Sequence, residues 1–223
     1  MRIHELELLA PDLAAQHRFY TQVLGLPAER TDTALALQIG ASRLIFRPAP
    51  AGWSGVYHFA FIIPENRYEQ AAAWLEQRTP LRPDGDGRTR FHFEDWNADA
   101  VYFTDPAGNI GELIARHSLP NAVSHDFTPR DILSVNEIGL ATDDVPATVE
   151  QLCAQLGVQV YRGQGSDSFT AVGDQEGMLI VVRRGRRWLS EPGREAEALP
   201  TRVTLEAGGA RRVLAGPPWA AEQ

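Results

Sequence analysis

The sequence predicts an α+β fold made of repeated βαβββ modules whose mixed sheets curl into cups. Three segments repeat the same order of features, namely a short apolar strand, a polar turn, an amphipathic helix and further strands. With 43% hydrophobic residues among 223, the chain also has enough apolar material for a packed core. We therefore expect two full modules, a third module and a partial extra strand.

The first module is expected over residues 1–50. It opens with the strand-like run IHELELLAPDL and continues into LAAQHRFYTQVLGLP, where apolar side chains form a helical stripe. Asp12 is a natural N-cap for this helix, and Gly25 is a natural stop. The strands ALALQIG and SRLIFRP complete the module.

The second module is expected over residues 56–118, after the Gly- and Pro-containing joint PAPAGWSG. It begins with the run VYHFAFIIPEN and the helix RYEQAAAWLEQR, and after a polar loop it ends with the strands FHFED, DAVYFTD and NIGELIAR. Each module buries one sheet face under its own helix, which leaves a concave face in need of a partner. We expect the second module to pair with the first and to form a cup for a metal or ligand.

Residues 130–188 are expected to form a third, degenerate module that completes the fold, shields the first pair or forms an interface. It contains the strand ILSVNEIGLAT, the helix VPATVEQLCAQLG, and strands around VQVYRG, SFTAVG and GMLIVVRR. The tail, residues 189–223, contains one expected strand, TRVTLEA. An arginine cluster after the last strand of the third module is expected to be solvated, with carboxylate binding as an alternative: Arg183, Arg184, Arg186 and Arg187.

Charge and hydropathy exclude two classes of partner. A formal net charge of -8 would repel both a polyphosphate backbone and an anionic lipid surface, so we expect neither nucleic acid nor membrane as a partner. No apolar run is long enough to span a membrane, and we expect a cytoplasmic protein with a small-molecule substrate. Cys153 has no cysteine partner in the chain and is expected to pack as a small apolar residue. Modules could pair within one chain or between two copies, so a homodimer is one alternative.

A hairpin in the second module carries the most specific motif. The run VYFTDPAGNIGEL, residues 101–113, contains a D-P-x-G turn in which Pro106 and Gly108 suit a tight reversal, and Glu112 follows on the next strand. Together with FYTQVLGLP in the first module, this hairpin resembles the vicinal oxygen chelate superfamily, which includes glyoxalase I, extradiol dioxygenases and bleomycin-resistance proteins. The resemblance implies a divalent metal in the cup (iron, manganese, nickel or zinc), held by the first and last strands of paired modules.

Matching the modules to one another selects the candidate ligands. Phe59, Phe61 and Ile63 alternate toward the helix, so strand alternation turns His58 toward the cup. The resemblance implies metal binding by His58 and Glu112. Leu44 and Val181 stand at the position of Glu112 in the first and third modules, so only the second module keeps this carboxylate.

The first strand of the first module offers two alternatives. His4 has the identity that the superfamily uses for a ligand. The periodicity instead turns Glu5 to the cup, because Leu6 and Leu8 must meet the helix, and we prefer Glu5; a β-bulge would restore His4. With His4 the site would suit ferrous iron, and with Glu5 its harder shell would suit manganese, magnesium, nickel or zinc. Glu137 shares the register of Glu5, but the third module is expected to hold no metal.

Two further residues are candidates for proton transfer. Tyr102 lies ten residues before Glu112, and the resemblance implies that it orients and deprotonates a bound catechol. His92 could act as an acid or a base. The expected function is that of a divalent-metal-dependent enzyme of the glyoxalase or dioxygenase type, acting on a small molecule with vicinal oxygens, with ring cleavage as one reaction. The alternative is a metal-free protein of the bleomycin-resistance type that sequesters a small molecule.

Overall fold

The computed structural model describes residues 1–188 and 194–221, with Gln164 described without its side chain. Within these ranges the chain forms 15 strands and three α-helices, arranged in two mixed sheets. The α+β class and the repeated βαβββ modules are therefore confirmed. No helix within the described ranges is long and apolar enough to cross a membrane.

The first module follows the predicted order of elements. Its helix begins at the predicted N-cap, where the Asp12 carboxylate accepts hydrogen bonds from the main-chain N–H groups of Ala14 and Ala15 at 2.8 and 2.9 Å. Gly25 has a φ of +69°, which suits the residue that ends a helix. The elements are β1 (Arg2–Ala10), α1 (Leu13–Arg18, continued by a π-helical turn Phe19–Val23), β2 (Ala28–Arg30), β3 (Leu35–Ile39) and β4 (Ser42–Pro48).

The second module contains the predicted hairpin. Its turn is closed by a hydrogen bond from the Gly108 N–H to the Asp105 carbonyl at 2.9 Å, and Gly108 has a φ of +84°. The elements are β5 (His58–Ile63), α2 (Tyr68–Glu76), β6 (Phe91–Phe93), β7 (Ala98–Thr104) and β8 (Ile110–Arg116).

The third module is followed by more strands than predicted. The third module comprises β9 (Ser134–Thr142), α3 (Val145–Leu156), β10 (Val160–Gly165), β11 (Phe169–Asp174) and β12 (Gly177–Arg183). The expected tail strand is β13 (Thr201–Ala207), and it is joined by β14 (Ala210–Gly216) and β15 (Ala220–Ala221). The expectation of one tail strand is therefore wrong. Residues 189–193 and 222–223 of the tail lie outside the described residues.

The pairing of the modules differs from the prediction. The eight-stranded sheet has the order β10-β11-β12-β9-β5-β8-β7-β6, so the second module shares it with the third, through antiparallel pairing of β5 with β9. The seven-stranded sheet has the order β15-β14-β13-β1-β4-β3-β2. The first and second modules do not share a sheet as expected. The edge of β1 is paired with β13, and the edge of β5 is paired with β9.

The two sheets are held together through the helices. One hydrophobic core contains the helix-facing side chains of both sheets. Phe19, after α1, stacks on Phe103 of β7 at 6.0 Å between ring centroids. Beside this contact the buried Asp105 carboxylate accepts hydrogen bonds from Gln16 Nε2 at 2.7 Å and from the Tyr20 hydroxyl at 3.1 Å. The first module therefore packs on the second through its helix.

The faces turned away from the helices differ in character. In the seven-stranded sheet this face is charged, because Glu5 pairs with Arg43 at 3.4 Å and Glu7 pairs with Arg47 at 2.9 Å. In the eight-stranded sheet the corresponding face forms a separate apolar cluster in which many side chains are small. Small side chains leave room above a sheet, so the cup lies on the eight-stranded sheet.

Candidate metal centre

A cavity of about 250 Å³ lies in the cup of the second and third modules. Its wall contains five aromatic side chains, and four ionisable side chains share the same wall. The aromatic residues are Phe93, Trp96, Tyr102, Phe169 and Trp188. The ionisable residues besides Tyr102 are His58, Glu112, Glu137 and Arg186. An apolar cavity with a few converging polar groups is the usual form of a small-molecule site.

Three potential metal ligands converge in this cavity. His58 lies on β5, Glu112 on β8 and Glu137 on β9, and all three are buried. One ligand atom from each lies within 4.8 Å of the others. The strand registers bring them together, because Ala60, two residues after His58, is paired with both Glu112 and Glu137. The site therefore draws ligands from the second and third modules.

The tautomer of His58 leaves one ring nitrogen available. Its Nδ1 lies 3.2 Å from the main-chain carbonyl of Ile110, which can only accept, so Nδ1 carries the proton. Burial lowers the pKa of His58 to about 4, and the charges of Arg82 and Arg186 act in the same direction. His58 is therefore a neutral imidazole at neutral pH, with the lone pair of Nε2 facing Glu112 at 3.5 Å.

Glu112 is held by Tyr102. Burial and the charge of Glu137 raise the pKa of Glu112 well above its usual value, while Arg116 and a hydrogen bond from the Tyr102 hydroxyl oppose this shift. The pKa of Tyr102 is also raised, first by burial and then by the charges of Glu112 and Glu137. The phenol therefore stays protonated at neutral pH and donates its hydrogen bond to the carboxylate.

Glu137 is held by a buried arginine. Arg116, the last residue of β8, is fully buried and donates a hydrogen bond to one Glu137 oxygen and another to Asn136 Oδ1, the latter at 2.9 Å. Its guanidinium lies over the rings of Trp96 and Tyr161 at 5.2 and 5.9 Å. Burial raises the pKa of Glu137, and the charge of Arg116 opposes that rise.

The donor set fits a divalent metal. His58 Nε2 and Glu112 Oε2 are both acceptors and face each other at 3.5 Å, so a proton or a cation must lie between them to offset their repulsion. With both carboxylates ionised, Arg116 leaves one uncompensated negative charge in a buried site. One imidazole and two carboxylates suit first-row divalent metals and leave further positions open for water or substrate.

Glu5 and His4 do not join this site, which corrects the expectation for the first strand of the first module. Glu5 lies on β1 in the other sheet and pairs with Arg43, and His4 Nε2 lies 3.4 Å from Glu206 Oε2. The register shifts between Ile3 and Glu5, as expected for a bulge, yet no ligand set forms there within the described residues. Both side chains are about one-third exposed.

The two expected proton-transfer residues have different positions. Tyr102 lines the cavity, as predicted from its strand. His92 does not line it, because strand alternation turns the imidazole outward, where it is 60% exposed and lies 2.8 Å from Asp99 Oδ1. The expected acid or base role of His92 at the metal is therefore not compatible with its position.

The fourth symmetric position is occupied by Ile180. In β12 the residue paired with Gly139, two residues after Glu137, is Ile180, just as Glu112 is paired with the residue two after His58. Ile180 lines the cavity, whereas Val181 belongs to the core on the helix side. Placing Val181 at this position was wrong by one residue, and such a shift moves a side chain to the opposite face.

Sequence reasoning did not assign several side chains of this site, among them Glu137, Arg116, Arg186 and Trp188. Glu137 lies in the register expected from the sequence, and it is a potential ligand beside His58 and Glu112 although the third module was expected to hold no metal. Arg116 could have been found by alternation, because it lies four residues after Glu112 on the same strand face. Arg186 and Trp188 follow the last strand of the third module, where no periodicity indicates their direction.

The fold is shared with solved structures. A Bacillus subtilis protein provisionally described as a dioxygenase matches 96% of this chain and 69% of its own, with a TM-score of 0.60 and 18% identity. Glyoxalase I from Zea mays matches 96% of this chain and 87% of its own, with a TM-score of 0.52 and 15% identity. No protein-family model and no curated protein matches the sequence. At these identities the likeness establishes the fold alone.

Proposed function

We propose that this chain, which has the fold of the vicinal oxygen chelate superfamily, is a divalent-metal-dependent enzyme that acts on a small molecule with vicinal oxygens. His58, Glu112 and Glu137 would hold the metal. The observation that carries the proposal is the convergence of these three buried ligand atoms within 4.8 Å in the wall of one cavity. Buried carboxylates are expensive without a cation, and Arg116 neutralises only one of the two.

Each residue around the centre has a separate part in the proposed chemistry. A bound divalent metal would supply a Lewis acid that polarises the substrate oxygens and stabilises negative charge on them. Tyr102 keeps its proton and fixes the Glu112 carboxylate, and its raised pKa makes it a hydrogen-bond donor at neutral pH, so we do not assign it the role of base. Arg116 fixes Glu137 from the other side. The aromatic wall excludes water and offers flat faces to a planar substrate.

Metal analysis of the purified protein tests the proposal. Protein purified without added metal or chelator should contain about one equivalent of iron, manganese, nickel or zinc. His58→Ala, Glu112→Ala and Glu137→Ala should each lose it, because each removes one of three ligands. Glu5→Ala is the matched control: it removes a carboxylate from the corresponding strand of the other sheet and should leave the metal content unchanged.

Two outcomes would contradict the proposal. One is protein without metal even after incubation with each of these ions. The other is metal content that survives in the His58, Glu112 and Glu137 variants, which would place the ion elsewhere. Near-ultraviolet circular dichroism of every variant separates loss of a ligand from loss of the fold.

A metal-free ligand-binding protein of the bleomycin-resistance type is the second candidate. The aromatic wall favours it, because Trp96 and Trp188 can stack on a flat ligand without a metal. Trp53 and Trp74 do not line this cavity, because Trp53 stacks on Tyr57 and Trp74 packs on Phe127. Protein that binds small aromatic molecules in the cup but takes up no metal would favour this function.

Three further expectations remain predictions of the sequence. They are a cytoplasmic location, the exclusion of nucleic acid and membrane partners, and a homodimer as one alternative.

A further inference from the structure

A cation forms part of the cavity wall. Arg186 follows β12 and lines the cavity together with Trp188. Its side chain is half-buried, and its guanidinium lies over the Phe169 ring at 5.1 Å from the centroid. The neighbouring Arg187 is exposed and does not line the cavity. Within the arginine cluster, the position of Arg186 is therefore distinct.

Among the described residues, no carboxylate forms an ion pair with Arg186. Its guanidinium donates a hydrogen bond to the main-chain carbonyl of Arg187 at 3.1 Å, an acceptor that carries no net charge. By contrast, Arg184 pairs with Asp143 at 3.2 Å. Partial burial lowers the pKa of Arg186, as expected for a desolvated charge. A half-buried guanidinium that has no carboxylate partner among the described residues is suited to a bound anion.

The rest of the cavity suits a flat ring. Phe93, Trp96, Tyr102, Phe169 and Trp188 supply π faces around a volume of about 250 Å³. This space is enough for one aromatic ring with polar substituents. Aromatic walls favour stacked or edge-on contacts with another ring.

The indole N–H of Trp188 also needs a hydrogen-bond acceptor. The residue is buried and its Nε1 has no hydrogen-bond partner among the residues that the structure describes. A buried N–H without an acceptor is unfavourable, so an acceptor from a bound molecule would stabilise it. A carboxylate near Arg186 would bring two acceptor oxygens to this part of the cavity wall.

From these observations we infer that the substrate is a monocyclic aromatic carboxylate, whose ring lies between the aromatic walls and whose carboxylate pairs with Arg186. The inference rests on the proposed function in taking the cup as the substrate site. The carboxylate is a different group from the vicinal oxygens, which lie at the metal. Arg186 would thus select anionic ring compounds over neutral ones of the same shape.

Calorimetric titration of metal-free protein with benzoate and benzamide tests the inference. The two probes share the ring and differ in charge. Benzoate should bind the wild type about tenfold more tightly or better, because a charge-assisted hydrogen bond is gained. Arg186→Gln should remove this preference, Arg186→Lys should keep part of it, and Arg187→Gln should keep all of it. Equal binding of the two probes by the wild type, or equal loss in the Arg187 variant, would overturn the inference.

A second pair of probes separates this inference from the proposed function. Protein loaded with Mn²⁺ is titrated with 3,4-dihydroxybenzoate and 3,4-dihydroxybenzamide, which add vicinal oxygens to the same rings. If the proposed metal site fails, Mn²⁺ will not strengthen binding of either compound, yet the preference for the carboxylate should still depend on Arg186. If the anion site fails, Mn²⁺ will strengthen binding of both compounds equally. The wild type will then show no preference for the carboxylate over the amide, and Arg186→Gln will not change the ratio of their affinities.

Discussion

Arg116 and Glu137 form a buried ion pair between the last strand of the second module and the first strand of the third. The guanidinium is fully buried, and it also lies against Trp96 and Tyr161. A charge contributed by one module therefore orients a candidate ligand contributed by the other. The pair therefore links the stability of the cup to the geometry of the candidate metal site.

Removing one partner of this pair should be far more damaging than removing both. Arg116→Met leaves a buried carboxylate without its cation, and we expect a loss of about 3–5 kcal/mol in the free energy of unfolding. Adding Glu137→Met should restore part of it. Denaturant unfolding measures both. Arg43→Met breaks the exposed pair with Glu5 and is the control, with an expected loss of under about 1 kcal/mol. Losses of equal size in Arg116→Met and Arg43→Met would contradict this account.

Asp105 should be a major contributor to the packing of the first module on the second. Its carboxylate accepts side-chain hydrogen bonds from Gln16, Tyr20 and Asn109. Asp105→Ala leaves these buried donors unsatisfied, and we expect a loss of about 3 kcal/mol in the free energy of unfolding. The measurement is thermal or denaturant unfolding, with the exposed Asp95→Ala as control. A loss no larger than that of the control would show that the donors find other partners.

Gly139 should control the position of Trp188. A Cβ added at Gly139 would lie 2.4 Å from the Trp188 ring, so the indole must move. We expect Gly139→Ala to lose about 1–3 kcal/mol in stability and to change the near-ultraviolet circular dichroism of the buried tryptophan. Gly85→Ala, where no atom lies within 4 Å of the new Cβ and φ is not positive, is the control. An unchanged spectrum in Gly139→Ala would mean that the backbone yields instead of the indole.

His117 should make the stability depend on pH. Partial burial disfavours its charged form, but hydrogen bonds to Asp99 and Glu65 outweigh this and raise its pKa above the ordinary value. Since the folded-state pKa exceeds the unfolded one, the stabilisation is complete below about pH 6.5 and is lost as the pH rises through the folded value. The difference in unfolding free energy between wild type and His117→Gln should therefore be larger at pH 5.5 than at pH 8.5. A difference that grows with pH would reverse this assignment.

Strand alternation predicted those parts of the site that depend on a single module. His58 and Glu112 could be assigned because each lies on a strand whose opposite face must meet the helix. The same argument placed Glu137 in the correct register. It failed at Ile180, because a shift of one residue exchanges the two faces of a strand.

The association of modules could not be predicted from local sequence. The edges of β1 and β5 both need an antiparallel neighbour, and neither strand encodes which one it receives. A signal was present in the charges, because Glu5 and Glu7 face Arg43 and Arg47 on the adjacent strand and satisfy one another. These two acids are partly exposed and each has its own arginine, whereas the buried Glu112 and Glu137 have one nearby arginine between them, Arg116.

Ile180 makes the two halves of the cup unequal. Three of the four symmetric positions carry side chains that could bind a metal, and the fourth carries a branched alkyl group. A planar molecule in the cup would meet an imidazole and a carboxylate from the second module but a carboxylate and a hydrocarbon side chain from the third, so the two halves would not be equivalent to it. Two orientations of a bound molecule that the approximate twofold symmetry would make equivalent therefore differ in energy. A reaction at a prochiral carbon held there would favour one stereochemical course.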